Sequence, residues 1–240
     1  MQSNESGQRQ DDKIHDTEQY GASTWLCDYI VAQQLRALAP REVVDFGAGA
    51  GKNGELVRQV LGRDCRLIAV EGFEKTAKML RGGSIYDQVD HCLLQEWVDR
   101  NAAPHAVAIF GDVIEHLTPR EIHYVVRRAL TQFKHLIIVV PLYDIFQDDA
   151  YGNPLEIHKA YITGSFFDRY KPTEKHIIES PDFTMMNLLI HSERVTKPLH
   201  RRLAWQAFHL GMLTLQPIGL ARPTVDVLKR TVGRYKRLIR

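Results

Sequence analysis

Val43-Val44-Asp45-Phe46-Gly47-Ala48-Gly49-Ala50-Gly51-Lys52 is the stretch that decides how this chain reads. A β-branched run reaches an acid, breaks into alternating glycines, and passes into Glu55-Leu56-Val57-Arg58-Gln59-Val60-Leu61. That segment has helical apolar spacing and stops at Gly62, a suitable residue just past a helix end. Strand, glycine turn and helix bring a ligand against bare backbone at a helix N-terminus. Glycine is needed there because a Cβ would block close approach and disfavour positive φ. A P-loop does not fit, since the positions where it requires Gly and Ser/Thr hold Phe46 and Asn53. A dinucleotide frame, Gly49-x-Gly51-x-x-Gly54, stays open, and so does the frame Asp45-x-Gly47-x-Gly49-x-Gly51.

Roughly 20 residues further on, a second strand over Cys65–Val70 runs into Glu71. A carboxylate at this distance suits a ribose diol, for which it is a bidentate acceptor. Glu71 therefore supports nucleoside binding without choosing the cofactor. The run Ala106–Phe110 reads as a buried strand, followed by Gly111-Asp112-Val113-Ile114-Glu115-His116-Leu117. Thr118-Pro119-Arg120-Glu121 then supplies an N-cap, a proline at the first helical position and the acid of a capping box. The helix is predicted through Ile122, Val125, Val126, Ala129 and Leu130, and His135–Pro141 gives another fully buried strand.

The glycine frame together with Asp112-Val113-Ile114-Glu115-His116-Leu117 resembles class I S-adenosylmethionine (SAM) methyltransferases, in the expected order over about residues 42–142. A nicotinamide oxidoreductase would give the second motif no role, and the intact glycines, Glu71 and Asp112 argue against a binding module that has lost catalysis. The resemblance implies SAM as cofactor. Asp45, Gly47, Ala48, Gly49 and Gly51 would hold its methionine part, with Asp112 and Val113 nearby. Glu71 would take the ribose, with Gly72 also against the cofactor; Phe73 would lie against the adenine, and Gln95 or Glu96 would receive the adenine amino group. Tyr20-Gly21, ahead of a helix predicted from Thr24 through Leu35, would touch the cofactor.

Beyond Pro141, the turn-rich run from Tyr143 to Lys159 is expected to form a lid over the acceptor, and it carries Gly152-Asn153-Pro154-Leu155-Glu156-Ile157-His158. Histidine is the natural base near neutral pH, so His116 and His158 are the candidate catalytic residues. The leading reading uses no metal. A metal-assisted alternative resembles small-RNA 2′-O-methyltransferases and quinone-pathway O-methyltransferases, with Asp112, Glu115, His116 and His158 around Mg²⁺. A short helix is expected over Thr163–Tyr170, then a closing hairpin of His176–Ser180 and Phe183–His191. The expected fold is Rossmann-like α/β, a seven-stranded, mostly parallel sheet with an antiparallel hairpin and helices on both faces. No amino-group motif of the Asn-Pro-Pro-Tyr type follows the fourth strand, which points to oxygen of a small molecule or saccharide as acceptor.

At 240 residues with ordinary apolar content, the methyltransferase domain is placed at 24–193, with a polar arm at 1–23 and a basic extension at 194–240. Cys27, Cys65 and Cys92 lack metal or redox spacing and read as reduced core residues of a cytoplasmic protein. From Arg194 onward there are eleven Lys/Arg against Asp226 alone, which leaves residues 1–193 near −8. Trp205, Phe208, Leu210 and Leu213 lie among these cations. That mixture suits peripheral contact with anionic membrane or glycolipid, or docking on the chain's own acidic face. Nucleic acid is a poorer match, because no base-reading motif accompanies the charge.

Overall fold

Short, nearly continuous apolar runs build the centre of one sheet. The computed structural model describes residues 24–101, 105–143, 147 and 152–192. Within them lie β1 (Glu42–Phe46), β2 (Arg66–Glu71), β3 (Gln88–His91), β4 (His105–Gly111), β5 (Phe133–Leu142), β6 (Glu174–Glu179) and β7 (Thr184–His191). Their spatial order is β3-β2-β1-β4-β5-β7-β6. The pairs from β3 through β5 are parallel, whereas β7 runs antiparallel to both β5 and β6. This is the seven-stranded mixed sheet with a closing hairpin that the sequence leads one to expect.

Alternation along the strands sends side chains to two separate cores. Helices α1 (Asp28–Leu38), α2 (Lys52–Leu61) and α3 (Glu74–Gly82) cover one face, where Val31, Leu35, Val57 and Leu80 meet Val43, Leu67, Ala69 and Val107. Helices α4 (Leu94–Arg100) and α5 (Pro119–Gln132) cover the other, where Trp97, Ile122, Val125 and Val126 meet Val44, Phe46, Val70 and Phe110. The rings of Phe46 and Phe110 stack at 4.7 Å, with Trp97 edge-on to Phe46 at 5.2 Å. Thr118 caps α5 with the reciprocal Glu121 bond, a device contributing about 1 kcal/mol.

Three expectations are corrected. Helix α1 begins at Asp28 rather than Thr24, and Trp25 and Tyr29 of the expected amphipathic stripe stay exposed. Lys52 explains the arrangement of Trp25: its Nζ lies 2.8 Å from Asp28, donates to the Thr24 carbonyl, and sits 5.7 Å over the Trp25 ring. The third strand, which the sequence places around Val89–Leu94, ends at His91, because Leu94 opens α4 and commits Trp97 and Val98 to a buried helical face. No α-helix forms over Thr163–Tyr170; turns lead into a single 3₁₀ turn at Asp168–Tyr170, ended by Lys171 at φ 50°. The expectations placed on Tyr20-Gly21, on the arm at 1–23 and on the extension at 194–240 lie outside the described residues. Among the described residues, no helix is long and apolar enough to cross a membrane.

Candidate active site

Strand register sets the site. Phe46 stands opposite both Val70 and Phe110, so the chain leaves β1, β2 and β4 at one edge, at Gly47, Glu71 and Gly111. The order of the strands reverses between β1 and β4, and open α/β sheets bind ligands at that point. A cavity of about 230 Å³ opens there, lined by Gly47, Gly49, Glu71, Gly72, Asp112 and Val113 among others. The Gly47 position requires glycine: φ is +67°, and a Cβ would lie 2.3 Å from Val113 Cγ2. Asp112 turns the chain out of β4 in the left-handed region, at φ 51°.

Glu71 is nearly enclosed and is held by backbone. Its Oε2 accepts the Gly49 N–H at 2.9 Å and its Oε1 the Phe73 N–H at 2.8 Å. Burial pushes its carboxyl above the ordinary range, and these N–H groups oppose that push. The arrangement welds the β2 end to the glycine loop while leaving further lone pairs for a ligand.

The other side of the cavity is richer in ionisable groups. His116 follows in the 3₁₀ turn Ile114–His116, and its ring centroid lies 5.0 Å from that of His158. Burial, then the neighbouring His158, lowers the His116 imidazole to about 4, so it is neutral at pH 7. Glu115 is 3 % exposed, and burial followed by the charge of Asp112 pushes its carboxyl well up. Ligand atoms of Glu115, His116 and His158 all fall within 4.8 Å of one another.

The segment after β5 brings His158 there. The Lys159 and Ala160 N–H groups both donate to the Glu115 carbonyl, and the His158 N–H donates to Gln147. Asn153 caps the 3₁₀ turn Pro154–Glu156 by accepting the Leu155 N–H, and donates to Glu156 Oε1. Leu155 and Leu93 both approach Gly72, while Glu156 Oε2 lies 3.9 Å from His116 Nε2.

The sequence candidates separate into groups. Gly47, Gly49, Glu71, Gly72, Gln95, Asp112, Val113 and His116 line the cavity, and His158 packs on His116. Asp45, Ala48, Gly51, Phe73 and Glu96 do not line it. Asp45 is wholly buried beneath the loop, and Ala48 belongs to the core on the α1–α3 face. Gly51 caps α2 at φ 88°, and Phe73 caps α3. Glu96 pairs with Arg100 on the outside of α4, 3.2 Å away. The cavity also recruits Leu93, Asn153, Leu155, Glu156 and Lys159. The four lid residues fall within the run marked by Gly152-Asn153-Pro154, whereas nothing in the sequence signals Leu93.

No protein-family model and no curated protein matches the chain. Its architecture is nonetheless that of class I SAM-dependent methyltransferases. A SAM-dependent methyltransferase from Archaeoglobus fulgidus superposes with TM-score 0.50 at 15 % identity, over 68 % of this chain and 94 % of that one. The 1,6-didemethyltoxoflavin-N1-methyltransferase of Burkholderia thailandensis, with bound 1,6-didemethyltoxoflavin and S-adenosylhomocysteine, gives 0.51 at 14 % identity, over 78 % and 84 %. A plantazolicin methyltransferase in complex with SAH gives 0.52 at 13 % identity, over 80 % and 92 %. At such identities the likeness establishes the fold.

Proposed function

We propose that the protein is a SAM-dependent methyltransferase acting on an oxygen of a small molecule or saccharide. The observation that carries this reading is the single cavity into which Gly47, Gly49, Glu71, Gly72 and Asp112 converge from the ends of three adjacent parallel strands. Bound SAM would supply a methyl group on a carrier that already holds its leaving group. Glu71 has lone pairs to offer a ribose diol, and Leu93 and Leu155 offer apolar walls to a base. Gly47 and Gly49 open the loop to close approach, and Asp112 stands where the methionine end would lie.

On the acceptor side, the neutral His116 imidazole takes the hydroxyl proton, and His158 orients it from the lid. The segment around Leu155 and Glu156 excludes water from the cavity. The choice of oxygen rests on Asp112-Val113-Ile114-Glu115 occupying the place of an amino-group motif. The name of the Burkholderia protein puts its methyl group on nitrogen, so the fold alone leaves the acceptor atom open. Calorimetric titration with SAM and with NAD tests the cofactor: SAM should bind and NAD should not, and the reverse sinks the reading. A screen of hydroxylated small molecules and saccharides with labelled SAM tests the acceptor.

A second reading is favoured by the Glu115, His116 and His158 cluster. Among the described residues Glu115 Oε2 is buried without a hydrogen-bond partner, so a cation between it and the two imidazoles would meet that demand. Two nitrogens and one carboxylate suit Mn²⁺, Fe²⁺ or Zn²⁺ better than the Mg²⁺ expected from the resemblance. Such an ion would polarise an acceptor hydroxyl. Titration of the protein with Mn²⁺, read by calorimetry, should show one site that is lost in His158→Ala; undiminished turnover after EDTA treatment would remove this reading. The basic extension at 194–240 would bring the enzyme to an anionic surface, which salt-sensitive binding to phosphatidylserine vesicles tests.

A further inference from the structure

Beneath the glycine loop lies a polar cluster that never reaches the cavity. Both oxygens of the fully buried Asp45 are taken: Asn53 Nδ2 donates to Oδ1 at 3.2 Å, and the Tyr86 hydroxyl donates to Oδ2 at 2.7 Å. Asp45 precedes the loop near the end of β1, and Asn53 follows it in the first turn of α2. Their bond therefore closes residues 46–52 into a ring at its base. Tyr86 arrives from the connection between α3 and β3 and braces that closure from a third segment.

Space for both donors is provided by glycines. A Cβ on Gly54 would lie 2.5 Å from the Tyr86 hydroxyl, and one on Gly111 would lie 2.5 Å from Asn53 Nδ2. Neither glycine has a positive φ, so each is explained by the neighbour it admits. The other charged groups facing Asp45 are Lys52 from α2 and Glu71 from β2. A buried carboxylate persists in its ionised form only when donors hold it. Here both donors also fix the loop, whose shape is completed by Gly47 N–H to Val70 and Gly51 N–H to Ala48.

We infer that Asn53 and Tyr86 are positioning residues that staple the glycine loop through Asp45 into its ligand-ready shape. What the loop binds rests on the SAM reading; the staple itself does not.

Tyr86→Phe keeps the ring and removes only the hydroxyl, so two readouts separate the ideas. In hydrogen exchange without ligand, amides of residues 47–52 should exchange about ten-fold faster while those of β5 are unchanged. In titrations with SAM, the Kd should rise about ten-fold near pH 7 and recover toward wild type near pH 8.5, because Asp45 has lost a donor that favoured its ionised form. Lys52 and Glu71 are untouched, so this displaced pH profile belongs to Asp45. Asn53→Ala should reproduce the loop-limited exchange if Tyr86→Phe folds poorly. Exchange accelerated uniformly through the chain, or a lower Tm with wild-type loop exchange and an unshifted pH profile, would overturn the staple. Failure of the wild-type protein to bind SAM would instead overturn the proposed cofactor, and the exchange experiment would still judge the staple.

Discussion

The two halves of the cavity treat their buried polar groups in opposite ways. On the β1–β2 side each carboxylate is anchored at both oxygens: Asp45 by Asn53 and Tyr86, and Glu71 by the Gly49 and Phe73 amides. On the β4–β5 side, Glu115 Oε2 is buried with no hydrogen-bond partner among the described residues, and the His116 and His158 ring centroids lie 5.0 Å apart. A satisfied network rigidifies, and an unsatisfied one retains a demand that a proton, an acceptor hydroxyl or a cation meets. In the proposed enzyme the first half would serve as a preorganised cofactor frame, and the second as the place for chemistry.

The largest effect should come from breaking the second half alone. His116→Ala should lower turnover by about 10²–10⁴-fold, the range for loss of a positioned acid or base, while leaving SAM affinity within a few-fold. Calorimetry alongside a methyl-transfer assay checks this split. A comparable loss of SAM affinity would erase the contrast between the halves.

Asp45→Asn probes the first half through stability. Burial raises the Asp45 carboxyl from 3.8 to about 6, so the folded protein holds this proton more tightly than the unfolded chain. The stabilisation linked to that proton is complete below about pH 4 and is lost as pH rises toward 6, by about 3 kcal/mol in all. The variant lacks this loss. Its amide N–H₂ opposes one of the two donors, Asn53 or Tyr86, at every pH, so the quantity that should change is the gap: from acid to pH 7.5 wild type should lose up to about 3 kcal/mol relative to the variant, which should also bind SAM more weakly. Denaturant titrations of both proteins at pH 4.5 and 7.5 test it; an equal difference at the two pH values would show that Asp45 does not titrate as described.

Glu71→Gln should cost about 1–3 kcal/mol of SAM affinity if the residue accepts from a buried ribose diol. It also sets an amide N–H₂ against one of the two backbone donors, so a small loss of stability should accompany it. Unchanged affinity would leave Glu71 as a weld for the loop and nothing more.

The fold was legible because its signals are local. The apolar strands, the glycine turn and the complete cap at Thr118–Glu121 each follow from spacing over a few residues. The shape of the glycine loop was legible for the same reason, but its support was not. Tyr86 is one tyrosine after a turn, and nothing near it in the chain announces that it reaches Asp45, 41 positions away. Asp45 lies outside the cavity lining: a strand-end acid reads equally well as a ligand contact or as an anchor, and only its burial separates the two. The run Leu93-Leu94 misled in another way, since a short apolar stretch is compatible with a strand end or a helix start. His158 was recoverable because the segment that carries it is marked by Gly152-Asn153-Pro154, although its meeting with His116 depends on Lys159 and Ala160 bonding back to Glu115.

The smallest expected effect sharpens the boundary of the cofactor half. Gln95 and Glu96 are adjacent in the first turn of α4, and sequence alone offers no reason to prefer one as the partner of an adenine amino group. In the structure, the helix sends them apart. Gln95 lines the cavity together with Glu121, whereas Glu96 forms an exposed pair with Arg100 one turn along the same helix. An exposed i,i+4 pair contributes about 0.3–0.5 kcal/mol, within reach of salt screening. Glu96→Ala should thus lower Tm by at most a degree or so and leave the SAM Kd unchanged. Gln95→Ala should raise that Kd by a few-fold, since it removes one polar wall from the cavity. Measured side by side, a Kd response at Glu96 with none at Gln95 would mean that α4 is rotated relative to the cavity in the bound protein, and that the adenine end is rebuilt on binding.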